Sequence, residues 1–132
     1  MSSGAIPSIR VSDMSESLAF YTEKLGFKLA RGGPDDDNCS LDRGDAHIMI
    51  ERPAEFYSPS YNEAIRQRLG TRSANALYIE AHDLDELYAG AGEANVPIID
   101  PLAERPWGQF EFTVEDPDGN WLTFWRALPP AS

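Results

Sequence analysis

Cysteine, histidine and positive charge are all scarce in this chain. Its 132 residues hold one cysteine and two histidines, and 11 Lys and Arg stand against 22 Asp and Glu. A sole Cys39 cannot close an internal disulfide. With no apolar leader-like stretch, a reducing, cytoplasmic setting is expected. A net charge of −11 leaves nothing to neutralise phosphates, so nucleic acid is not an expected partner. No run approaches the roughly 18 apolar residues of a membrane span, so no membrane partner is expected either. No nucleophile system stands out, since Cys39 has no His or Lys beside it in sequence. Gly32 and Gly33 are too few for a phosphate-cradling loop. His47 and His82, without a spaced carboxylate, are a thin basis for a metal centre.

What is present occurs twice. Ile6, Ile9 and Val11 read as a strand, followed by Asp13 and, three residues on, Glu16. Leu77, Ile79 and Ala81 read the same way, followed by Asp83 and Glu86, 70 positions after the first pair. Asp followed by Glu at that spacing is a capping box. Behind each box runs a helical stripe: Met14, Leu18, Tyr21 and Leu25, stopped by Gly26, then Leu84, Leu87, Tyr88 and Ala91. Gly90 and Gly92 weaken the end of the second helix. Strands over 27–31, 39–41 and 47–51 complete the first unit, with a hairpin turn at Arg43, Gly44 and Asp45. Strands over 96–99, 110–114 and 121–125 complete the second. Residues 101–108 read as a loop, and Pro117, Gly119 and Asn120 suit a tight turn. The predicted class is α+β: two β-α-β-β-β modules forming curved mixed sheets around a cleft, with helices outside. Module one spans about 6–51, a linker about 52–73 and module two about 74–126. The linker carries a short helix over 61–69 ended by Gly70, and 127–132 is a loose tail. A half of this length alone would be marginal, so the halves are expected to pack together or onto a partner.

At this point the residues carry a likeness. Val11-Ser-Asp-Met-Ser-Glu-Ser-Leu-Ala-Phe-Tyr21 with Lys24-Leu-Gly-Phe27 resembles the first module of the vicinal-oxygen-chelate (glyoxalase/bleomycin-resistance/dioxygenase) superfamily. Trp107-Gly-Gln-Phe-Glu-Phe-Thr-Val-Glu-Asp-Pro-Asp-Gly-Asn120 resembles the last hairpin of its bleomycin-resistance branch. The resemblance implies a single domain. In the family's enzymes it also implies one divalent metal in the cleft, held by His, Glu or Gln from inward strands. Carried onto this chain, those ligand positions fall at Ile6, Met49, Ala76 and Thr123. None of these suits a divalent cation, which wants imidazole or carboxylate. No metal or other cofactor is therefore expected, and no catalytic residue is named.

Strand alternation tests the register independently. Ile9, Val11, Ile48, Ile50, Leu77, Ile79, Leu122 and Phe124 should pack under the helices. That leaves Ser8, Arg10, His47, Met49, Tyr78, Glu80, Trp121, Thr123 and Trp125 facing the cleft. The candidate ligand-binding residues are Met49, Tyr78, Glu80, Trp107, Phe110, Glu111, Trp121 and Thr123, with Phe56, Tyr57 and Tyr61 added by the linker. Rings beside carboxylates suit a cationic aromatic small molecule. The resemblance implies a metal-free protein that sequesters such a ligand, or an antibiotic, in the cleft of a homodimer. Two alternatives stay open: a metal-dependent glyoxalase- or dioxygenase-type enzyme using His47 and Glu80, and a metal-free binder of another metabolite. Trp121 and Trp125 fit a pocket or a subunit interface equally well.

Overall fold

Asp13 starts the first helix as expected, its carboxylate accepting from the Glu16 amide at 3.0 Å. The structure, a computed structural model, describes residues 5–69 and 76–128. The first unit runs β1 (Ser8–Arg10), α1 (Met14–Ala19), β2 (Lys28–Arg31), β3 (Asn38–Arg43) and β4 (Ala46–Glu51). Between α1 and β2 the helix widens into a π-helical turn, Phe20–Lys24. Gly26, at φ +75, closes that turn, and the Phe27 amide reaches back to the Tyr21 carbonyl at 3.0 Å. Left-handed backbone of this kind is why glycine stands there. The linker carries α2 (Pro59–Arg68), and the second unit runs β5 (Ala76–Glu80), α3 (Leu84–Glu93), β6 (Ile98–Arg105), β7 (Gln109–Glu115) and β8 (Trp121–Ala127).

The units form two four-stranded sheets of the same plan, β1-β4-β3-β2 and β5-β8-β7-β6. In each, the first strand pairs parallel with the last and the others pair antiparallel. The mixed α+β architecture is therefore as the repeat predicted. The alternation holds too: Ile9, Val11, Ile48, Ile50, Ile79, Leu122 and Phe124 are buried, and Leu77 packs half-buried against them. Met14 and Leu18 from α1, Tyr21 from the π-helical turn, and Leu84, Leu87 and Ala91 from α3 join the same cluster, so one apolar core runs through both units. Each fully buried side chain of this size contributes roughly 1.5–3 kcal/mol.

Two paired contacts tie the units at equivalent places. The tip of the β7–β8 hairpin meets the start of α1, where Asp118 accepts from the Ser12 amide at 3.2 Å and its hydroxyl at 2.7 Å. The tip of the β3–β4 hairpin meets the start of α3, where Arg43 donates to both Asp83 oxygens at 3.2 and 3.0 Å.

Three expectations are corrected. Asp83 makes no capping bond; both of its oxygens are turned to Arg43 instead. Residues 101–105 are not loop but the second half of β6, an irregular edge strand whose register shifts between Ile98 and Ala103. Pro101 lacks an amide donor, and an edge strand with bulges tolerates that. Ala127 is not tail but the last residue of β8, and the Leu128 amide reaches Gly108 at 3.4 Å. Gly70, the start of module two at 74–75 and the tail from 129 lie outside the described residues.

Candidate functional site

The register of the second sheet arranges its cleft face, the one turned away from the helices, in rows. Glu80, Trp125 and Glu111 are direct neighbours across β5, β8 and β7. The next row is Tyr78, Thr123 and Thr113, and the third is Ala76, Trp121 and Glu115. Trp107, on the tight β6–β7 turn, leans over the first row. Its indole N–H donates to Glu111 Oε1 at 2.8 Å, and Gln109 donates to the same oxygen at 2.9 Å. Glu111 is thus 4% exposed and held in place, while Trp107 leaves 63% of its surface open and Tyr78 leaves 61% open. Lower on the face, Thr113 and Thr123 share a buried hydrogen bond of 2.8 Å, and the Trp121 indole donates to Glu115 at 3.1 Å.

Beside these rows, where the β3–β4 hairpin abuts β5, lies a cavity of about 390 Å³. Asp45, Tyr78, Glu80, His82 and Trp125 line it. That volume falls within the roughly 300–1,000 Å³ of small-molecule sites. Its wall offers two rings, two carboxylates and an imidazole, and no Arg or Lys.

The first sheet's cleft face is built differently, because the linker helix covers part of it. Glu51, 3% exposed, is fixed by the hydroxyls of Tyr57 and Tyr61, each donating at 2.7 Å. Arg10 Nε stands 3.9 Å from the same carboxylate. Asn38 donates to the Tyr57 hydroxyl at 3.2 Å and accepts from Arg31 in turn. Burial and the Glu51 carboxylate raise Tyr57, and the bond to Glu51 with burial raises Tyr61, so both phenols stay protonated at neutral pH. Asn62 adds a two-way clamp on Ala54, at 2.9 and 2.7 Å.

Tyr78, Glu80, Trp107, Glu111, Trp121 and Thr123 all belong to the second sheet's cleft face. Met49 lies half-buried on the first sheet, between Ser8 and Ser40. Its register position is the counterpart of Thr123, as the repeat implied. Phe110 does not face the cleft. It shares the side of Phe112 and the core, under the Arg126 guanidinium, which lies 4.6 Å from its ring and 3.2 Å from Asp85. Its even position in β7 carries that signal, against the odd positions of Glu111 and Thr113. Glu51 and Arg10 went unnamed among the candidates, although extending the period-two count of β4 by one step finds Glu51.

The family's metal positions do not fit an ion. Ile6 and Ala76 carry no donor atoms, Met49 offers a thioether, and the Thr123 hydroxyl is engaged with Thr113. Among the described residues no three His, Cys, Asp or Glu side chains come together in a way that could hold a metal. His47 is turned to Asp42 at 2.7 Å. Cys39 is fully buried, and that burial pushes its thiol up, away from the reactive range.

Fold and rows together define a duplicated β-α-β-β-β protein with a ring-lined cleft. The chain belongs to the Glyoxalase/Bleomycin resistance protein/Dioxygenase superfamily, which it matches over residues 5–124. It is 30% identical to the bleomycin resistance protein of Geobacillus stearothermophilus, over 94% of this chain and 96% of that one. Among solved structures it is similar to the bleomycin-binding protein of Streptomyces verticillus complexed with copper(II)-bleomycin. That likeness has a TM-score of 0.62 and 27% identity, over 94% of this chain and 95% of the other. TioX from Micromonospora sp. ML1 shares the fold with a TM-score of 0.74 at 22% identity, over 98% of this chain and 100% of that one.

Proposed function

We propose that this chain is a metal-free, non-catalytic binding protein of the bleomycin-resistance type. It sequesters a cationic aromatic compound on the second sheet's cleft face, as a cytoplasmic homodimer. The observation that carries the reading is the first row: Glu80 and Glu111 flank Trp125, with the open rings of Tyr78 and Trp107 beside them. Each ring face attracts a cation by roughly 0.5–2 kcal/mol. The carboxylates add charge, and burying the ligand's apolar body supplies the larger share of affinity. Support comes also from the relatives, which are bleomycin-resistance and bleomycin-binding proteins.

Calorimetric titration with metal-free and copper(II)-loaded bleomycin tests this reading, run with and without a chelator. Binding should persist in the chelator. Trp107→Ala and Tyr78→Ala should each weaken it about 5- to 150-fold, or roughly 1–3 kcal/mol. A Trp107→Ala variant that loses thermal stability but keeps its affinity would mean the ring only braces the β6–β7 turn. Affinity no better than millimolar for bleomycin and for simpler aromatic cations would end the sequestration reading.

A further inference from the structure

Of the two carboxylates that flank Trp125, only one is open to solvent. Glu80 is exposed on the edge strand β5, where water screens it. Glu111 lies on β7, inside the sheet, and is 4% exposed. Among the described residues no Arg, Lys or His forms an ion pair with it. A buried carboxylate without a countercharge is costly unless hydrogen bonds hold it. Glu111 accepts two, from the Trp107 indole at 2.8 Å and the Gln109 amide at 2.9 Å, and both end on Oε1. Its charge therefore sits at the polar edge of a ring whose own surface is 63% open.

The chain is shaped to bring these groups together. Gly108, at φ +88, turns the backbone between Trp107 and Gln109, and its amide closes the turn onto the Arg105 carbonyl at 3.0 Å. Trp107 then folds back over β7 to reach Glu111. An N–H given to an anion makes a shorter, stronger bond than one given to a neutral acceptor. Polarising that N–H also pushes electron density into the indole. The faces become more negative, and it is the negative face of a ring that attracts a cation. Trp121 repeats the device on the same side of the sheet, its indole donating to Glu115 at 3.1 Å.

We propose that Glu111 sets the preference for a cation at this site without touching the ligand. It is a positioning residue that acts through Trp107, locking the indole and lending its charge to the face on which the ligand lies. The inference rests on the cationic-ligand reading of the second sheet. Glu80 adds charge from open water, where salt screens it. The charge of Glu111 is covered by the ring and is screened less.

The probes are N-methylquinolinium and quinoline, a cation and a neutral compound of nearly one shape, titrated calorimetrically into the full chain at neutral pH. Glu111→Gln keeps an acceptor for the indole but removes the charge. It should weaken the quinolinium about tenfold and quinoline by less than about twofold. In a Trp107→Phe background, where the ring has no N–H to give, Glu111→Gln should cost the cation less than about threefold. Trp107→Phe alone should lower the cation-to-neutral ratio by about threefold or more, which keeps the test alive if Glu111→Gln does not fold. Glu93→Gln, which removes a charge from the exposed end of α3, should leave both affinities unchanged. In proton NMR the Trp107 indole N–H, assigned by its absence from Trp107→Phe, should move upfield in Glu111→Gln. Equal losses of the two probes in Glu111→Gln would mean that Glu111 only braces the turn, and would overturn the proposal. An undiminished effect in the Trp107→Phe background, an unmoved indole proton, or an equal loss with Glu93→Gln would overturn it too. In each of those cases the quinolinium still binds the unaltered chain. If neither probe binds that chain better than millimolar, the cationic-ligand reading itself falls and takes the proposal with it.

Discussion

The hydroxyl of Tyr21 is shut away from solvent and donates at 2.7 Å to Asp116, 95 positions along the chain. The same carboxylate also accepts from the amides of Asp118 and Asn120, at 3.0 and 2.7 Å, and from the Asn120 side chain at 2.9 Å. Tyr21→Phe should cost about 0.5–1.5 kcal/mol, the net worth of one hydrogen bond. Asp116→Ala should cost more, about 2–4 kcal/mol, because it strands a buried phenol and opens the turn. Urea denaturation of both variants checks the order. Burial raises Asp116 above the ordinary carboxylate value, whereas the Arg43 guanidinium holds Asp83 below it. The two therefore act with opposite signs. The contribution of Asp116 is full below its unfolded value and is lost as pH rises through the raised one. That of Asp83 is full above about pH 4 and is lost as pH falls through its lowered value. Asp83→Asn should thus cost stability at pH 7 and nothing once pH drops below the folded value. Asp83 is half-exposed, so the loss should stay within about 1 kcal/mol. Urea midpoints followed from pH 7 downward would show whether the gap narrows as Asp83 is protonated.

Among the elements, α2 is the one whose place the sequence did not disclose. Its helical run was readable, with Ser58 capping the Tyr61 amide at 3.2 Å, but nothing local says that it lies across a sheet. That information sits in Glu51, Tyr57 and Tyr61 jointly, and a buried carboxylate is visible only once its partners are known. Replacing both tyrosines by Phe should release α2. Hydrogen exchange over residues 52–69 should quicken much more than over β3 or β7, while global stability falls by about 1–3 kcal/mol. Uniform exchange across the chain would mean that the helix is held by something else. The capping boxes teach the same lesson. Asp13 and Asp83 look alike in sequence, yet only Asp13 caps, while Asp83 turns to Arg43, 40 positions away. Pro101 misled for a different reason: proline argues against a central strand, and β6 is an edge. The rows of the cleft were legible because period-two alternation is a local property. Phe110 was misplaced where adjacency in sequence outweighed that parity.

At the scale of the whole molecule, charge and exposed rings set the behaviour in solution. Phe56, Tyr61, Tyr78 and Trp107 are exposed together with Ile6, Leu29 and Ile99. Open apolar area of this kind suits a homodimer burying about 800 Å² per partner. Light scattering at micromolar concentration should give twice the chain mass. A monomer would count against the dimer reading. The net charge of −11 should act mainly on encounter with a cation. Raising salt to about 0.5 M shrinks the Debye length to roughly 5 Å or less. Stopped-flow mixing should therefore show association slowing more than dissociation quickens. Among the described residues no helix is long and apolar enough to cross a membrane.

The contact between Ser12 and Asp118 spans 106 positions, and this has a consequence for the order of synthesis. A ribosome delivers α1 early, yet the groups that seat it, Asp116 and Asp118, emerge almost last. Until then the first unit exposes part of a core that only the final hairpin completes. Closing so long a loop is entropically slow, and a nascent chain in that state is prone to stick to its neighbours. A clasp that ties the first unit to the last hairpin therefore leaves the first half with open apolar surface while the second half is still being made.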